Sequence, residues 1–424
     1  MKKTREQIQS EALEALRKNG YTGTCVIDTG GGKSKVGIDA IKEGKFRNVL
    51  ITSPRTNLKN NWKQELNKWD IIDASDVGEN NSYKIIGGDF IHIDINNIQT
   101  VYKWGKDLLK YDLIIADEIH YHSLEYSAYL NIAKSLNIPI IGLTATPNKE
   151  DKFKSEVLYS LVPIIYEYYN SEKDGVINKV NFYVWEYELD DQYKVLAGNK
   201  NKQWFVGERK QHEYLNKQYE EAKRTMFLMG ATDYFTTALT WMRVGNSEQK
   251  KAGAKFFYAI KNRKDFLWTL NSSSSRALIL KNQILKSNPD NKVLLFSELT
   301  SQANRLSRYS IHSNNGKTAK ETKEYNQKLL SDFNEGKIRE LSSCLSLTLG
   351  LNMSHANWAI FESYSSSETN SRQKKGRLNR LTINEIANVV IIKPIGTQVE
   401  TWFESAFGWI EDYTVINDIK ELNL

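Results

Sequence analysis

Cysteine is nearly missing from this chain: two residues in 424, Cys25 and Cys344. Each sits in an apolar or small-residue run that reads as a buried strand, so free thiols in a reducing compartment are expected rather than a disulfide. No Cys-x-x-Cys pair or Cys/His cluster offers a zinc site, and His120 and His122, at i and i+2, lack the spacing of a helical zinc pair. Long hydrophobic runs are missing too. None approaches the ~20 residues that span a bilayer, and the N-terminal MKKTREQIQS has basic residues with no apolar core behind them. These absences exclude a disulfide scaffold, a zinc module and a membrane span, and they predict a soluble, cytoplasmic protein. There is no repeat at solenoid spacing. The one low-complexity tract is NSSSS, Asn271 to Ser275, which reads as a hinge or loop.

What is present points to more than one domain. A chain of 424 residues with 40% hydrophobic content exceeds one ordinary core. The formal net charge of +7 suits a polyanionic partner, because basic surface gains affinity by releasing counterions from nucleic acid. Short apolar runs bounded by turn residues recur: TCVIDTG, RNVLITSP, YDLIIADE and IPIIGLTATP, then NKVLLFSE, NWAIFESY and NVVIIKP. Apolar on both faces, they predict buried parallel strands. Helix-period segments such as REQIQSEALEALRKN and LKNNWKQELNKW lie among them, which predicts doubly wound α/β folding. The strands fall into one group before about residue 165 and another after about 276. Between the groups the sequence is aromatic, basic and mostly helix-like.

Two stretches carry chemistry. In VIDTGGGKS, Val26 to Ser34, an apolar strand runs into Gly30, Gly31 and Gly32, then Lys33, then Ser34 at the start of a predicted helix. Such a loop lets backbone N–H groups curl around phosphate oxygens, with the lysine reaching the β and γ phosphates and the hydroxyl holding magnesium. The general pattern has Gly or Ala where this chain has Ile27. In YDLIIADEIHYHS a strand delivers Asp117 and Glu118 at its C-terminal end, the edge at which ligands bind in open α/β sheets. One carboxylate there can hold a metal, and the next can orient and deprotonate a water attacking a γ-phosphate.

Read in order, TGGGKS, DEIH, GLTATP and QKKGRLNR resemble motifs I, II, III and VI of superfamily 2 helicases and translocases of the DExH-box group. His120 stands at the position that marks that subgroup. The resemblance covers both strand groups and not the insert, and it implies two RecA-like parallel-sheet domains in tandem that clamp ATP and Mg between them. It implies an adenine-recognising glutamine before motif I, Gln9 in preference to Gln7. It implies backbone contacts to nucleic acid at Pro54 and Arg55 (motif Ia) and Thr100 (motif Ib), and coupling through Thr144 and Thr146. VLLFSELTSQANRL takes the place of motif IV. SSCLSLTLGLNM takes that of motif V, with Gly350 and Asn352 recognisable, although serine, leucine and threonine replace the family's usual residues. Gln373, Gly376, Arg377 and Arg380 match Gln-x-x-Gly-Arg-x-x-Arg, with Lys374 and Lys375 at variable positions. Arg377 and Arg380, three apart on a predicted helix, would share a face toward the γ-phosphate, Arg380 being the stronger choice as the finger.

Between Asn181 and Leu270, Trp185, Trp204, Phe205, Trp241, Phe256, Phe257 and Trp268 alternate with cations including Lys202, Arg209, Lys210, Arg224 and Lys264. Helical spacing predicts a small aromatic core with a basic face toward a duplex arm or fork. The expected organisation is therefore α/β: a RecA-like domain at 1–168, a linker and mainly helical insert at 169–275, a second RecA-like domain at 276–400, and a C-terminal tail at 401–424. The small size, the NNWKQEL form of motif Ia and the compact insert are similar to phage-type helicases. The expected activity is nucleic-acid-stimulated ATP hydrolysis that moves a monomer on forked or branched DNA, in the host cytoplasm if the source is a phage. A restriction-type duplex translocase, an RNA helicase and an ATP-switched binding protein remain alternatives.

Overall fold

The computed structural model describes residues 2–54, 57–73, 82–85, 88, 90–103, 105–121, 123–147, 151–199, 202–316, 318–344, 356–379, 381–382, 384–422 and 424. Arg55, His122, Gly350, Asn352 and Arg380 lie outside the described residues. Among the described residues no helix is long and apolar enough to cross a membrane. The chain divides into two compact units. One is Met1–Val180 with Ser346–Asn357 and Arg372–Ala387; the other is Asn181–Leu345 with Trp358–Ser371 and Asn388–Leu424.

The first unit runs α1 (Arg5–Lys18), β1 (Gly23–Ile27), α2 (Lys33–Glu43), β2 (Asn48–Ser53), α3 (Asn57–Lys68), β3 (Ile71–Asp73), β4 (Ser82–Ile85), β5 (Phe90–Asn97), α4 (Ile98–Val101), β6 (Leu113–Asp117), α5 (Leu124–Ser135), β7 (Ile140–Thr144), α6 (Lys152–Leu161) and β8 (Ile164–Tyr168). Its sheet has the order β3-β4-β5-β2-β6-β7-β1-β8. Pairing is parallel from β5 to β8, and β4 is antiparallel to both β3 and β5. The continuous apolar runs follow from burial on both faces. Val49, Ile51, Leu113, Ile115, Ile141 and Leu143 join the core under α1, α2 and α3. Their neighbours Leu50, Ile114, Ala116 and Ile140 join the opposite core under α4, α5 and α6. Period-2 alternation thus divides each strand between two apolar layers.

The second unit runs β9 (Lys179–Glu188), β10 (Lys194–Asn199), β11 (Lys202–Gly207), α7 (Glu208–Leu228), α8 (Tyr234–Val244), α9 (Ser247–Trp268), α10 (Asn271–Ser287), β12 (Val293–Ser297), α11 (Thr300–Leu306), β13 (Ser310–Ile311), α12 (Ala319–Asn334), β14 (Glu340–Cys344), β15 (Trp358–Phe361), α13 (Glu368–Lys375), β16 (Ile386–Ile395), α14 (Val399–Phe407) and β17 (Thr414–Ile416). Its sheet order is β13-β14-β12-β15-β16-β9-β17, with parallel pairing through β13, β14, β12, β15 and β16. β9, in the stretch expected as linker and insert, is a strand of this sheet. Residues 401–424 bury Trp402, Phe403 and Phe407 and supply β17. All seven apolar runs picked out by pattern are strands. Both cysteines are buried and in no disulfide among the described residues, and burial pushes the Cys25 thiol up to about 12.

The serine tract is not a loop. Asn271 to Ser275 form the first turn of α10. The Glu208 carboxylate accepts the N–H groups of Asn271 (2.6 Å) and Ser272 (3.2 Å), capping the helix from outside. Ser272 and Ser273 hydroxyls bond the Tyr187 hydroxyl at 2.9 and 2.7 Å, and Ser274 donates to Glu362 at 2.7 Å. Composition suggested flexibility, but buried partners far along the chain satisfy these hydroxyls.

Candidate nucleotide site

β1 ends at Ile27 and feeds a loop whose Gly30 and Gly32 are both at φ +93°, in the left-handed region open to glycine. At Gly32 a Cβ would sit 2.0 Å from Gln9 Nε2, so a side chain there would collide with the amide. Gln9 donates to Gly31 O at 3.4 Å. Gln7, by contrast, is committed to a capping box with Thr4, donating its N–H to Thr4 Oγ1 and accepting from Thr4 N–H. Gly32 is the N-cap of α2 and carries no capping side chain, which leaves first-turn N–H groups for an anion. Lys33 Nζ donates to Ile27 O at 3.3 Å.

β7 lies between β1 and β6, with Val26 opposite Thr144 and Asp117 opposite Leu143. The phosphate loop, Thr144 and the two acids therefore share one sheet edge on adjacent strands, ~5 Å apart per strand. Asp117 is 9% exposed; its Oδ2 accepts Trp62 Nε1–H at 2.8 Å and its Oδ1 accepts Glu118 N–H at 3.0 Å. Burial, with the neighbouring Glu118 charge, pushes Asp117 up to about 7, while Trp62 and Lys33 pull it back. The hard oxygen donors of Asp117 and Ser34 fit Mg²⁺, which takes few carboxylates and completes its shell with phosphate oxygens and water. Glu118 adopts φ +48°, turning the chain directly after the strand. The turn is held by Ile119 N–H on Leu143 O (3.1 Å) and Tyr121 N–H on Glu118 O (2.9 Å).

Behind the acids runs a hydrogen-bonded chain. Thr144 Oγ1 accepts Thr146 N–H and donates to Thr146 O, both at 3.1 Å, so its remaining lone pair takes His120 Nδ1–H at 2.7 Å. That assignment leaves His120 Nε2 as acceptor for Gln373 Nε2–H at 3.3 Å, while Gln373 Oε1 accepts the Tyr121 hydroxyl at 2.9 Å. Thr146 is buried, and its own hydroxyl has no hydrogen-bond partner among the described residues. Gln373 lies in the part of α13 from Arg372 onward, which belongs to the first unit, and the helix ends at Lys375. Arg377 therefore stands in the turn beyond the helix, half-buried, and not on a helical face as its spacing predicted. In that turn Asn379 Nδ2–H donates to Thr29 O of the phosphate loop at 3.1 Å.

The first unit thus gathers Gln9, Gly30, Gly31, Gly32, Lys33, Ser34, Asp117, Glu118, Thr144, Thr146, Gln373 and Arg377. Pro54, after β2, and Thr100, exposed on α4 after β5, continue the same edge. Trp62, Tyr121 and Asn379 were not anticipated.

Two family models match the chain: type III restriction enzyme, res subunit, over residues 2–149, and helicase conserved C-terminal domain over residues 275–382. Together they support a superfamily 2 helicase. Helicase domains imply ATP hydrolysis and nucleic-acid binding. The solved helicase domain of Pyrococcus furiosus Hef is similar at 15% identity, over 95% of this chain and 97% of that one, with a TM-score of 0.53. That likeness shows the fold, tandem RecA-like domains. No curated protein matches.

The Trp62 indole is the residue that sequence reasoning came nearest to finding, since NNWKQEL stands out for its form but says nothing of its ring nitrogen. Trp62→Phe keeps an aromatic ring and removes the donor. A hydrogen bond to a charged acceptor contributes ~1.5–3 kcal/mol, so kcat/KM for ATP should fall about tenfold or more in steady-state assays, and a value within twofold of wild type would refute the role.

Proposed function

We propose that this helicase couples ATP hydrolysis to movement on, and remodelling of, forked or branched DNA. The observation that carries the reading is the single sheet edge that holds the phosphate loop, Asp117–Glu118 and the Thr144–His120–Gln373 chain. In this reading the organisation is a RecA-like domain at 1–168, a linker and helical insert at 169–275, a second RecA-like domain at 276–400 and a C-terminal segment at 401–424.

Lys33 neutralises the β and γ phosphates, and N–H groups of Gly30 and of Gly32 to Ser34 cradle them. Ser34 and Asp117 would hold Mg²⁺, whose charge offsets that of the phosphates. Glu118 orients the attacking water and takes its proton. Arg377 and Arg380 stabilise charge on the transferred phosphoryl group, with Gln373 beside them. Gln9 reads adenine. Gly350 and Asn352 contribute from motif V, and Pro54, Arg55 and Thr100 grip the strand backbone. Thr144 and Thr146 sense the state of the acids through His120.

The test is the ATPase rate with single strands, duplex, forks, four-way junctions and RNA, with Lys33→Ala as control. Forks and junctions should stimulate most, and Lys33→Ala should abolish the stimulated rate; no stimulation by any nucleic acid would overturn the reading. A second reading, the duplex translocase of a restriction system, is favoured by the printed description of the family matched over 2–149. Stimulation by blunt duplex above forks would select it.

A further inference from the structure

Among the described residues the two-stranded ribbon of β10 and β11 pairs with no other strand. Its register sets Leu196 opposite Phe205 and Ala197 opposite Trp204, so Leu196 and Phe205 share one face with Lys194 and Gln203. That face is open: Leu196 is 56% exposed, Phe205 75%, and Lys194 and Gln203 are exposed as well. On the other face Trp204, 51% exposed, lies beside the buried Ala197. An isolated two-stranded ribbon is marginal in water, and aromatic side chains on it gain nothing from a core they do not reach. The helical part of the insert does bury aromatic surface, with Phe256 in a core with Ala222, Met226 and Ala238. The ribbon is the departure from that pattern. From Lys194 to Gly207 the sequence holds three lysines and no Asp or Glu, which favours a polyanion over a basic partner.

We propose that this ribbon is a binding site for single-stranded DNA, with a base stacking on Phe205 against Leu196 and a flanking phosphate paired to Lys194 on the same face. Stacking needs only a π-face and is indifferent to sequence. The site rests on the nucleic-acid reading above and adds to it where an unpaired strand is held.

The experiment uses the full chain and measures anisotropy of labelled oligo(dT), oligo(rU) and blunt duplex. Removing one stacked base costs ~1–3 kcal/mol, so Phe205→Ala should weaken oligo(dT) binding about 5- to 100-fold, and Phe205→Tyr should restore it. Lys194→Glu should flatten the salt dependence by about 0.7 in log–log slope for the phosphate that is no longer neutralised. Melting of each variant is followed to confirm folding. Oligo(dT) affinity unchanged in Phe205→Ala overturns the site. So does a change of sedimentation in that variant, which would make the ribbon a contact between copies, and so does equal weakening on blunt duplex. Preference for oligo(rU) overturns the DNA assignment. If wild type binds no nucleic acid at all, it is the proposed function that fails; binding by wild type with no effect of Phe205→Ala removes the ribbon alone.

Discussion

Glu118→Gln should lower ATP turnover by about 10²- to 10⁴-fold, the range that a positioned general base contributes, while leaving nucleotide binding within a few fold. The amide keeps the shape of the side chain and loses the ability to take a proton. The backbone demand is also met, because the left-handed φ of +48° is a property of the turn between Asp117 and Ile119, fixed by the Ile119 and Tyr121 N–H bonds and not by the carboxylate. Lys33→Ala should differ in kind. On the proposed reading it removes the charge that meets the β and γ phosphates, so affinity and turnover should fall together. Measuring both by titration with a fluorescent ATP analogue and by phosphate release separates the roles. Glu118→Gln turnover within threefold of wild type would show that another group takes the proton.

Much of this edge was legible in the sequence. TGGGKS needs glycine where the chain adopts φ +93°, and an apolar strand ending in Asp-Glu has nowhere to end in a parallel sheet except at the ligand edge. The two-layer core was legible as well, since runs such as NVLITS are apolar at almost every central position and each strand divides its side chains between two cores. What was not legible depends on partners distant in sequence. Nothing local in NSSSS announces that Tyr187, Glu208 and Glu362 will satisfy its hydroxyls and N–H groups. The spacing of Arg377 and Arg380 suggested a helix, but it cannot reveal that α13 ends at Lys375, before the first of them. Trp204 and Phe205 read as core aromatics by composition; pairing register and exposure separate them from Phe256.

Glu362 should contribute stability to the second unit that is lost as pH rises from about 4.5 to 7, and Glu362→Gln should remove that contribution. Glu362 follows β15 and is fully buried. Its Oε1 accepts from Ser274 at 2.7 Å and from Gln302 at 3.4 Å, while Oε2 is buried with no hydrogen-bond partner among the described residues. Burial, with Glu298 nearby, pushes this carboxyl up to about 7 against the pull of Ser274, Ser363 and Arg305. A carboxyl raised on folding holds a proton that the unfolded chain has released, so its stabilising contribution is complete below the unfolded value near 4.5 and is lost as pH climbs through 7. The shift corresponds to roughly 3 kcal/mol, at most ~1.4 kcal/mol per pH unit within the window. Glu362→Gln stays neutral throughout and still accepts from Ser274, so it should match wild type near pH 5 and exceed it at pH 8. Glu362→Ala loses the acceptor and leaves a cavity, costing ~2–4 kcal/mol at every pH. Since Asp117 in the other unit and Glu208 in this one are also raised by burial, the informative quantity is the difference between wild type and Glu362→Gln. Hydrogen exchange of the α10 and β15 amides, corrected for the intrinsic pH dependence of exchange, reads that difference locally. Parallel wild-type and Glu362→Gln profiles between pH 5 and 8 would mean that the Glu362 carboxyl stays ionised in the folded chain.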